Sequence, residues 1–345
     1  MSDQYRFCIN GGFSARPIGE VVDWWRFCES HGIETTVSDS PTQFRELYVA
    51  AAACALGTAR LPIFVCVSNP ISRHPSVTAS ALLALNDIAP GRVVFGIGTG
   101  DSALWSVGLK AAKLAILREY VLAVRALLRG ETATWRGHRF RGEWSKCSAP
   151  VDIPILVAAA GPKSLELGAE IGDGLIISLG FSPTDIAGIF DIIDRACAEV
   201  GRDRSALELW WQADVTFAES LEQGAESALG WGVEWLTLTT VDGKGVPEHF
   251  RDALIELNDD ARNIATAYKD EDRDRIRVAR AKELGLYDWL VERSPRLWGT
   301  PADVATRLEE LGALGLHNWI YYIGRRADKR GLVETLARDV VPRLR

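Results

Sequence analysis

Gly161-Pro162-Lys163-Ser164 directly follows an apolar run that ends at Ala159, and it opens a stretch with helical periodicity. Proline suits the first turn of a helix, and such a start presents free backbone amides and the positive end of the helix dipole. The four residues could therefore hold a phosphate, with Lys163 as counter-charge and Ser164 as hydroxyl donor. A second tight stretch, Gly98-Thr99-Gly100, carries so little side chain that backbone could approach a flat ring or its polyol chain closely. Small and polar residues close other apolar runs in the same way: Ser38-Asp39-Ser40-Pro41, the segment from Ser68 and Asn69 to Arg73, His74 and Pro75, Asp101-Ser102 after Gly100, and Ser178-Leu179-Gly180. Each loop taken singly has a structural explanation. Their recurrence after successive apolar runs suggests one shared rim.

The elements that must carry this rim alternate between short β-branched runs and longer helical periods. Strands are expected at Arg6 to Ile9, Glu34 to Val37, Leu61 to Val67, Val93 to Ile97, Pro154 to Ala158, Leu175 to Ile177, Leu207 to Val215 and Asn318 to Ile323. Helices are expected between them, among others at Ile18 to His31, Gln43 to Ala55, Ser76 to Ile88, Leu109 to Arg129, Pro162 to Ile171 and Pro301 to Leu314. Repeated strand-then-helix units imply parallel strands joined by crossovers. Eight of them make a single (β/α)8 barrel, an α/β fold that collects reactive groups at the C-terminal ends of its strands. A small hairpin at Thr134 to Phe140 and a charged helix at Asp270 to Glu283, read as a solvated helix, break the alternation. The whole chain, 1–345, thus reads as one barrel domain with insertions at about 132–148 and 243–296.

Composition narrows the partners. The chain has 345 residues, with 46 acidic against 39 basic side chains and a net charge of −7. No dense Lys/Arg stripe interleaves with aromatics, so neither nucleic acid nor an anionic membrane surface is an expected partner. No apolar run approaches the ~20 residues needed to span a bilayer. The polar start, Met1 to Arg6, is too short to begin a secretion signal, and a cytoplasmic protein is expected. Six cysteines lack C-x-x-C spacing, and the five histidines lack i, i+4 spacing, so no metal site is expected.

Four segments carry a family resemblance: Val67 to Pro75 (VSNPISRHP), Arg92 to Ser102 (RVVFGIGTGDS), Val157 to Gly174 (VAAAGPKSLELGAEIGDG) and Trp298 to Leu311 (WGTPADVATRLEEL). In order and spacing they resemble the bacterial-luciferase-like superfamily of flavin and deazaflavin oxidoreductases, and most closely its branch resembling methylenetetrahydromethanopterin reductase. The resemblance implies a homodimer or homotetramer and a flavin-type cofactor at the C-terminal rim, with its ring against the third strand. A non-prolyl cis peptide is implied there, near Cys66, Val67 and Ser68. The cofactor-binding residues implied are Val67, Ser68, Asn69, Thr99, Gly100, Ala159, Gly161, Pro162, Lys163, Ser164 and Gly180. Asp39, Ser68 and Asp101 are the catalytic candidates, and His74 belongs to the third-strand motif.

Two departures bear on the reaction. Many members place a histidine directly after the second-strand acid, where this chain has Ser40, and a serine hydroxyl cannot accept a proton near neutral pH as imidazole does. Many FMN-dependent members place a tyrosine where this chain has Leu114. The leading expectation is a two-component monooxygenase in which reduced FMN, supplied by a separate flavin reductase, activates oxygen for a small organic substrate. The alternative keeps the fold and uses the deazaflavin coenzyme F420 to transfer a hydride without oxygen, and a remote alternative is a non-catalytic flavin-binding protein. Trp105, Trp210 (or its neighbour Trp211) and Arg73 are the expected substrate contacts, the tryptophans as an aromatic lining.

Overall fold

The computed structural model describes residues 5–11, 13–100, 102–147, 149–228, 236, 241–258, 273–323 and 328–344. Its centre is a closed barrel of eight parallel strands: β1 (Arg6–Asn10), β2 (Glu34–Val37), β3 (Ile63–Ser68), β4 (Val93–Ile97), β5 (Ile155–Ala159), β6 (Gly174–Ile177), β7 (Glu208–Ala213) and β8 (Asn318–Tyr322). Neighbours in sequence are neighbours in the barrel, and β8 closes on β1 with Cys8 opposite Ile320. The enclosing helices are α1 (Ile18–Ser30), α2 (Leu47–Gly57), α3 (Pro75–Ile88), α4 (Leu114–Leu128), α5 (Pro162–Ile171), α6 (Pro183–Glu199), α7 (Pro301–Gly312) and α8 (Lys329–Thr335). The strands are apolar on both faces because one meets the barrel interior and the other meets these helices.

Local chemistry sets the helix starts. Proline occupies the first turn of α3, α5, α6 and α7, and α7 adds a reciprocal capping box between Thr300 and Asp303. Helix α2 begins at Leu47 rather than Gln43, because the amides of Gln43 and Phe44 turn back to the Ser40 carbonyl and Glu46 caps the Val49 amide. Helix α4 likewise begins five residues later than expected, after a separate helical turn at Ser102–Trp105.

Successive residues of a strand point to opposite faces, and β7 shows the consequence. Trp211 faces the helix layer, where it meets Phe181 and Phe190, while Trp210 packs inside with Cys8, Phe64, Leu156, Ile176 and Ile320. Trp210 lies under the Arg6 guanidinium, 4.6 Å from its ring centre, and donates its Nε1–H to Glu208 Oε1 at 2.8 Å. Arg6 also pairs with Glu34 at 2.8 Å and Glu208 at 2.5 Å. These charged residues begin β1, β2 and β7, so Trp210 fills the floor of the barrel, opposite the rim. The expectation that Trp210 or Trp211 contacts substrate is therefore corrected: one is floor, the other helix packing.

Two excursions leave the barrel. Ala133–Trp135 and His138–Phe140 form the expected hairpin. After β7 the chain pairs Thr216–Phe217 with Trp298–Gly299, and between them helices at Leu221–Ala228, Arg251–Asn258, Arg273–Glu283 and Tyr287–Arg293 gather a separate apolar cluster that includes Leu254, Leu257, Leu286 and Leu290. The stretch to Glu283, expected to be solvated, buries Val278, Ala281 and Arg277, whose guanidinium donates to the Asn258 side chain. It is amphipathic rather than solvated on all sides.

Candidate active site

The residues after β2, β3, β4, β5 and β6 converge on one end of the barrel. The side chain of Asp39, after β2, is only 4% exposed and accepts from Ser68 Oγ at 3.2 Å and Arg73 Nη1 at 2.8 Å. Arg73 also donates to Glu46 at 2.9 Å and lies 5.3 Å from the Tyr48 ring. Burial alone would lower the Arg73 pKa, but the two carboxylates raise it above its ordinary value. The result is an ion-paired bridge between the start of α2 and two rim loops. Arg73, expected to neutralise a substrate or cofactor, is held by two acids of its own chain.

Strand β3 contains a cis peptide at Cys66–Val67, where the family resemblance implied one. Val67 packs against the barrel interior, and pairing with β4 is interrupted between Val65 and Ser68. Asn69 is buried; its Oδ1 accepts the amides of Ile71 and Ser72 at 3.0 and 2.9 Å, while its Nδ2 has no partner among the described residues. Ser40 Oγ is buried and unpartnered in the same sense. A buried polar group without a partner costs about 1–3 kcal/mol, so both atoms suit a polar ligand laid along the rim. His74 caps α3 through Nδ1 and packs on Phe140.

The β4 loop runs close to β3. Gly98 donates to the Ser68 carbonyl at 3.0 Å, and the Thr99 carbonyl accepts from Ala112 at 2.8 Å. Gly100 takes a φ of 78°, and a side chain there would meet Asn69 and Leu104 within 2.8 Å. Trp105, 40% exposed, follows in the next helical turn. Asp101 lies outside the described residues.

Helix α5 starts at Gly161, and no side-chain cap meets its first turn. Ser164 Oγ accepts the Ala160 amide at 3.1 Å and donates to the Gly161 carbonyl at 2.8 Å, so its proton shapes the loop instead of serving a ligand. Lys163 is exposed and lines an outer groove with Leu114, Arg118 and Glu170, which corrects its expected place as the phosphate counter-charge. Ala159 turns its methyl into the helix layer and leaves its carbonyl to Ser178 N at 3.0 Å. Gly180 has a packing reason: a side chain would collide with the Asp185 carboxylate.

That carboxylate marks what the sequence reading missed. Asp185, at the start of α6, is paired with Arg293 from the insertion; their side chains are 16% and 9% exposed. Arg293 also donates to the Gly245 carbonyl at 3.3 Å, and its own carbonyl accepts from Phe181 at 2.9 Å. The insertion is thereby pinned beside the α5 start, and its Lys244 is buried there. The signal available was slight: a lysine between two glycines in an insertion.

Taken together, the cradle of backbone at Gly98 and Gly161, the Asn69 and Ser40 atoms unpartnered among the described residues, and the glycine-rich approach of the β4 loop to β3 fit an elongated cofactor with a flat ring and a phosphoryl tail. Comparison with known proteins identifies the family. The family profile described as luciferase-like monooxygenase matches residues 7–318. A 5,10-methylenetetrahydromethanopterin reductase of Archaeoglobus fulgidus is 27% identical over 338 residues, covering 94% of this chain and 96% of that one. An F420-dependent glucose-6-phosphate dehydrogenase of Beutenbergia cavernae is 25% identical, covering 97% and 90%. The structure of the coenzyme F420 dependent tetrahydromethanopterin reductase from Methanopyrus kandleri superposes with a TM-score of 0.72 at 18% identity, over 99% of this chain and all of that one. Sequence and barrel agree that the chain belongs to the luciferase-like monooxygenase family.

Proposed function

We propose that this protein is a coenzyme F420-dependent oxidoreductase that reduces a small organic substrate by hydride transfer. The observation that carries this reading is near end-to-end similarity to a relative whose name states F420 dependence. It favours the alternative of the sequence reading over the leading expectation of an FMN monooxygenase with a separate reductase. Leu114, which opens α4 facing an outer groove, adds support, since it cannot offer a phosphate the hydroxyl that many FMN-dependent members supply there.

When bound, the deazaflavin supplies a two-electron carrier, and the protein supplies position and dryness. Val67, Ser68 and Asn69 would form the wall for the ring, and Gly98 and Gly100 would let the β4 backbone lie close to it. The α5 start would hold the phosphoryl tail with its amides. Asp39, buried and bonded to Ser68 and Arg73, would hold the Ser68 hydroxyl and the loop after β3 in place beside the ring. With Ser40 beside it, the chain has no imidazole there to carry the proton of an alcohol–carbonyl couple in either direction, which favours a substrate whose reduction by hydride needs no proton from that position.

Equilibrium titration with F420 and FMN in parallel, followed by absorbance and fluorescence, tests the assignment. Saturable F420 binding with FMN at least tenfold weaker is expected. Tight FMN binding with no F420 binding would return the reading to the monooxygenase.

A further inference from the structure

Alternation along the strands carries the inner face of the barrel up to its mouth. Cys8 and Trp210 point inward, so Asn10 and Gln212, two residues further along β1 and β7, also point inward, toward the C-terminal ends of those strands. Strand β8 lies between β1 and β7, with Asn10 opposite Tyr322 and Gln212 opposite Ile320. Asn10 Oδ1 accepts from Thr36 Oγ1 at 2.9 Å and Ser38 Oγ at 2.6 Å, both on the β2 side, and Gln212 Oε1 accepts from Ser178 Oγ at 2.7 Å, just after β6. Each carbonyl is turned away from β8, and across a planar amide the amino group is turned the other way. Neither amino group has a hydrogen-bond partner among the described residues, and both side chains are half-buried.

The two side chains therefore present N–H donors over β8 and spend their acceptors on their own barrel. Neighbouring strands lie about 4.8 Å apart, so the β1 and β7 backbones are ~10 Å apart, a span that two such side chains and one shared oxygen can bridge. Strand β7 also stands opposite β3 in the ring of strands, so Gln212 faces the proposed ring wall across the mouth. A carboxamide neither gives nor takes a proton, yet its N–H groups stabilise negative charge that develops on an oxygen. Ser40 supplies no imidazole to protonate that oxygen. We propose that Asn10 and Gln212 bind the carbonyl oxygen of the substrate, and that this substrate is an α,β-unsaturated carbonyl compound reduced at its carbon–carbon double bond. The proposal rests on the function proposed above, in which reduced F420 is the hydride donor and is oxidised by two electrons. The hydride adds to the β-carbon, the π pair of the double bond moves between the α-carbon and the carbonyl carbon, and the carbonyl π pair moves to the oxygen held by the amides. Water then supplies a proton to the α-carbon, and the carbonyl is restored. A simple ketone would leave a more basic alkoxide, which calls for the acid that Ser40 does not provide.

The test uses the full-length protein loaded with F420. Reduced F420 should be reoxidised by 2-cyclohexen-1-one at least about tenfold faster than by cyclohexanone; no turnover of the enone, or equal rates, overturns the substrate class. Gln212→Met, similar in shape but without N–H donors, should lower kcat for the enone about 100-fold. Binding without turnover is read with 4-cyanophenolate, a flat oxyanion, against benzonitrile, which lacks the oxygen, through the fluorescence of bound oxidised F420. Wild type should favour the phenolate at least about tenfold, and Gln212→Met and Asn10→Leu should each remove most of that preference while holding benzonitrile within about twofold. Equal losses for both ligands would make the amides part of the packing of the mouth and overturn the proposal, as would no loss for either. If wild type takes FMN and not F420, the proposed cofactor falls, and the same ligand pair, read through FMN fluorescence, judges the amides separately. Wild type that binds neither cofactor overturns both.

Discussion

Cutting the Arg293 guanidinium should release the insertion from the rim well before it unfolds the barrel. Breaking a buried ion pair from one side costs about 3–5 kcal/mol, because the remaining charge is left without compensation. Here both side chains retain some exposure, and Ser182 Oγ still donates to Asp185 at 2.7 Å, so about 2–3 kcal/mol is the better figure. Methionine keeps an unbranched stem beside Trp289, over which the guanidinium lies at 5.2 Å, and so limits the packing change. A drop of that size in the local opening free energy raises the open population about 30- to 150-fold. Native-state proteolysis under rapid reclosing reads that population directly, and cleavage of Arg293→Met should concentrate in the insertion. The urea transition of the barrel should move much less. A cycle with Asp185→Asn should give a coupling energy of about 1–2 kcal/mol. A cleavage rate within threefold of wild type, or a coupling below about 0.5 kcal/mol, would refute the anchoring role.

Trp210→Phe should cost about 2–3 kcal/mol of stability through lost volume and the lost bond to Glu208, while KM for substrate stays at the wild-type value; a raised KM without destabilisation would restore it as a substrate contact. Gly161→Ala should leave stability within about 0.5 kcal/mol, since its φ of 179° suits any residue and the methyl meets only Lys244 at ordinary contact distance, yet F420 affinity should fall severalfold; a large Tm loss with intact affinity would contradict this.

Much of the barrel was legible because its cause is local. Val93 to Ile97 is continuously apolar and flanked by turn residues, and it forms β4 without a residue's error. The loops that follow β2 to β6 could be placed on one rim for the same reason. Side-chain direction was harder. At a helix start successive residues turn by about 100°, so Gly161 can face the strand ends while Lys163, two positions on, faces away. Along β7, alternation says that Trp210 and Trp211 oppose each other but not at what height, and Trp210 pairs with Asn318 and Ile176 low in the barrel. Asp39 could be singled out from its position after β2, yet its partners Ser68 and Arg73 come from another loop. Lys244 and Arg293 are farther still: in sequence they are charges in an insertion, and only tertiary contact joins them to Gly161 and Asp185.

The Arg6, Glu34, Glu208 and Trp210 assembly has a kinetic consequence. With its interior packed around Trp210 and closed below by the Arg6, Glu34 and Glu208 charges, the barrel offers a ligand only its C-terminal mouth. A cofactor ring held against β3, as proposed, would lie beneath the substrate at that mouth, so cofactor would load first and depart last. Steady-state patterns should then be those of an ordered sequence, with a dead-end substrate analogue slowing the escape of cofactor in proportion to its own occupancy.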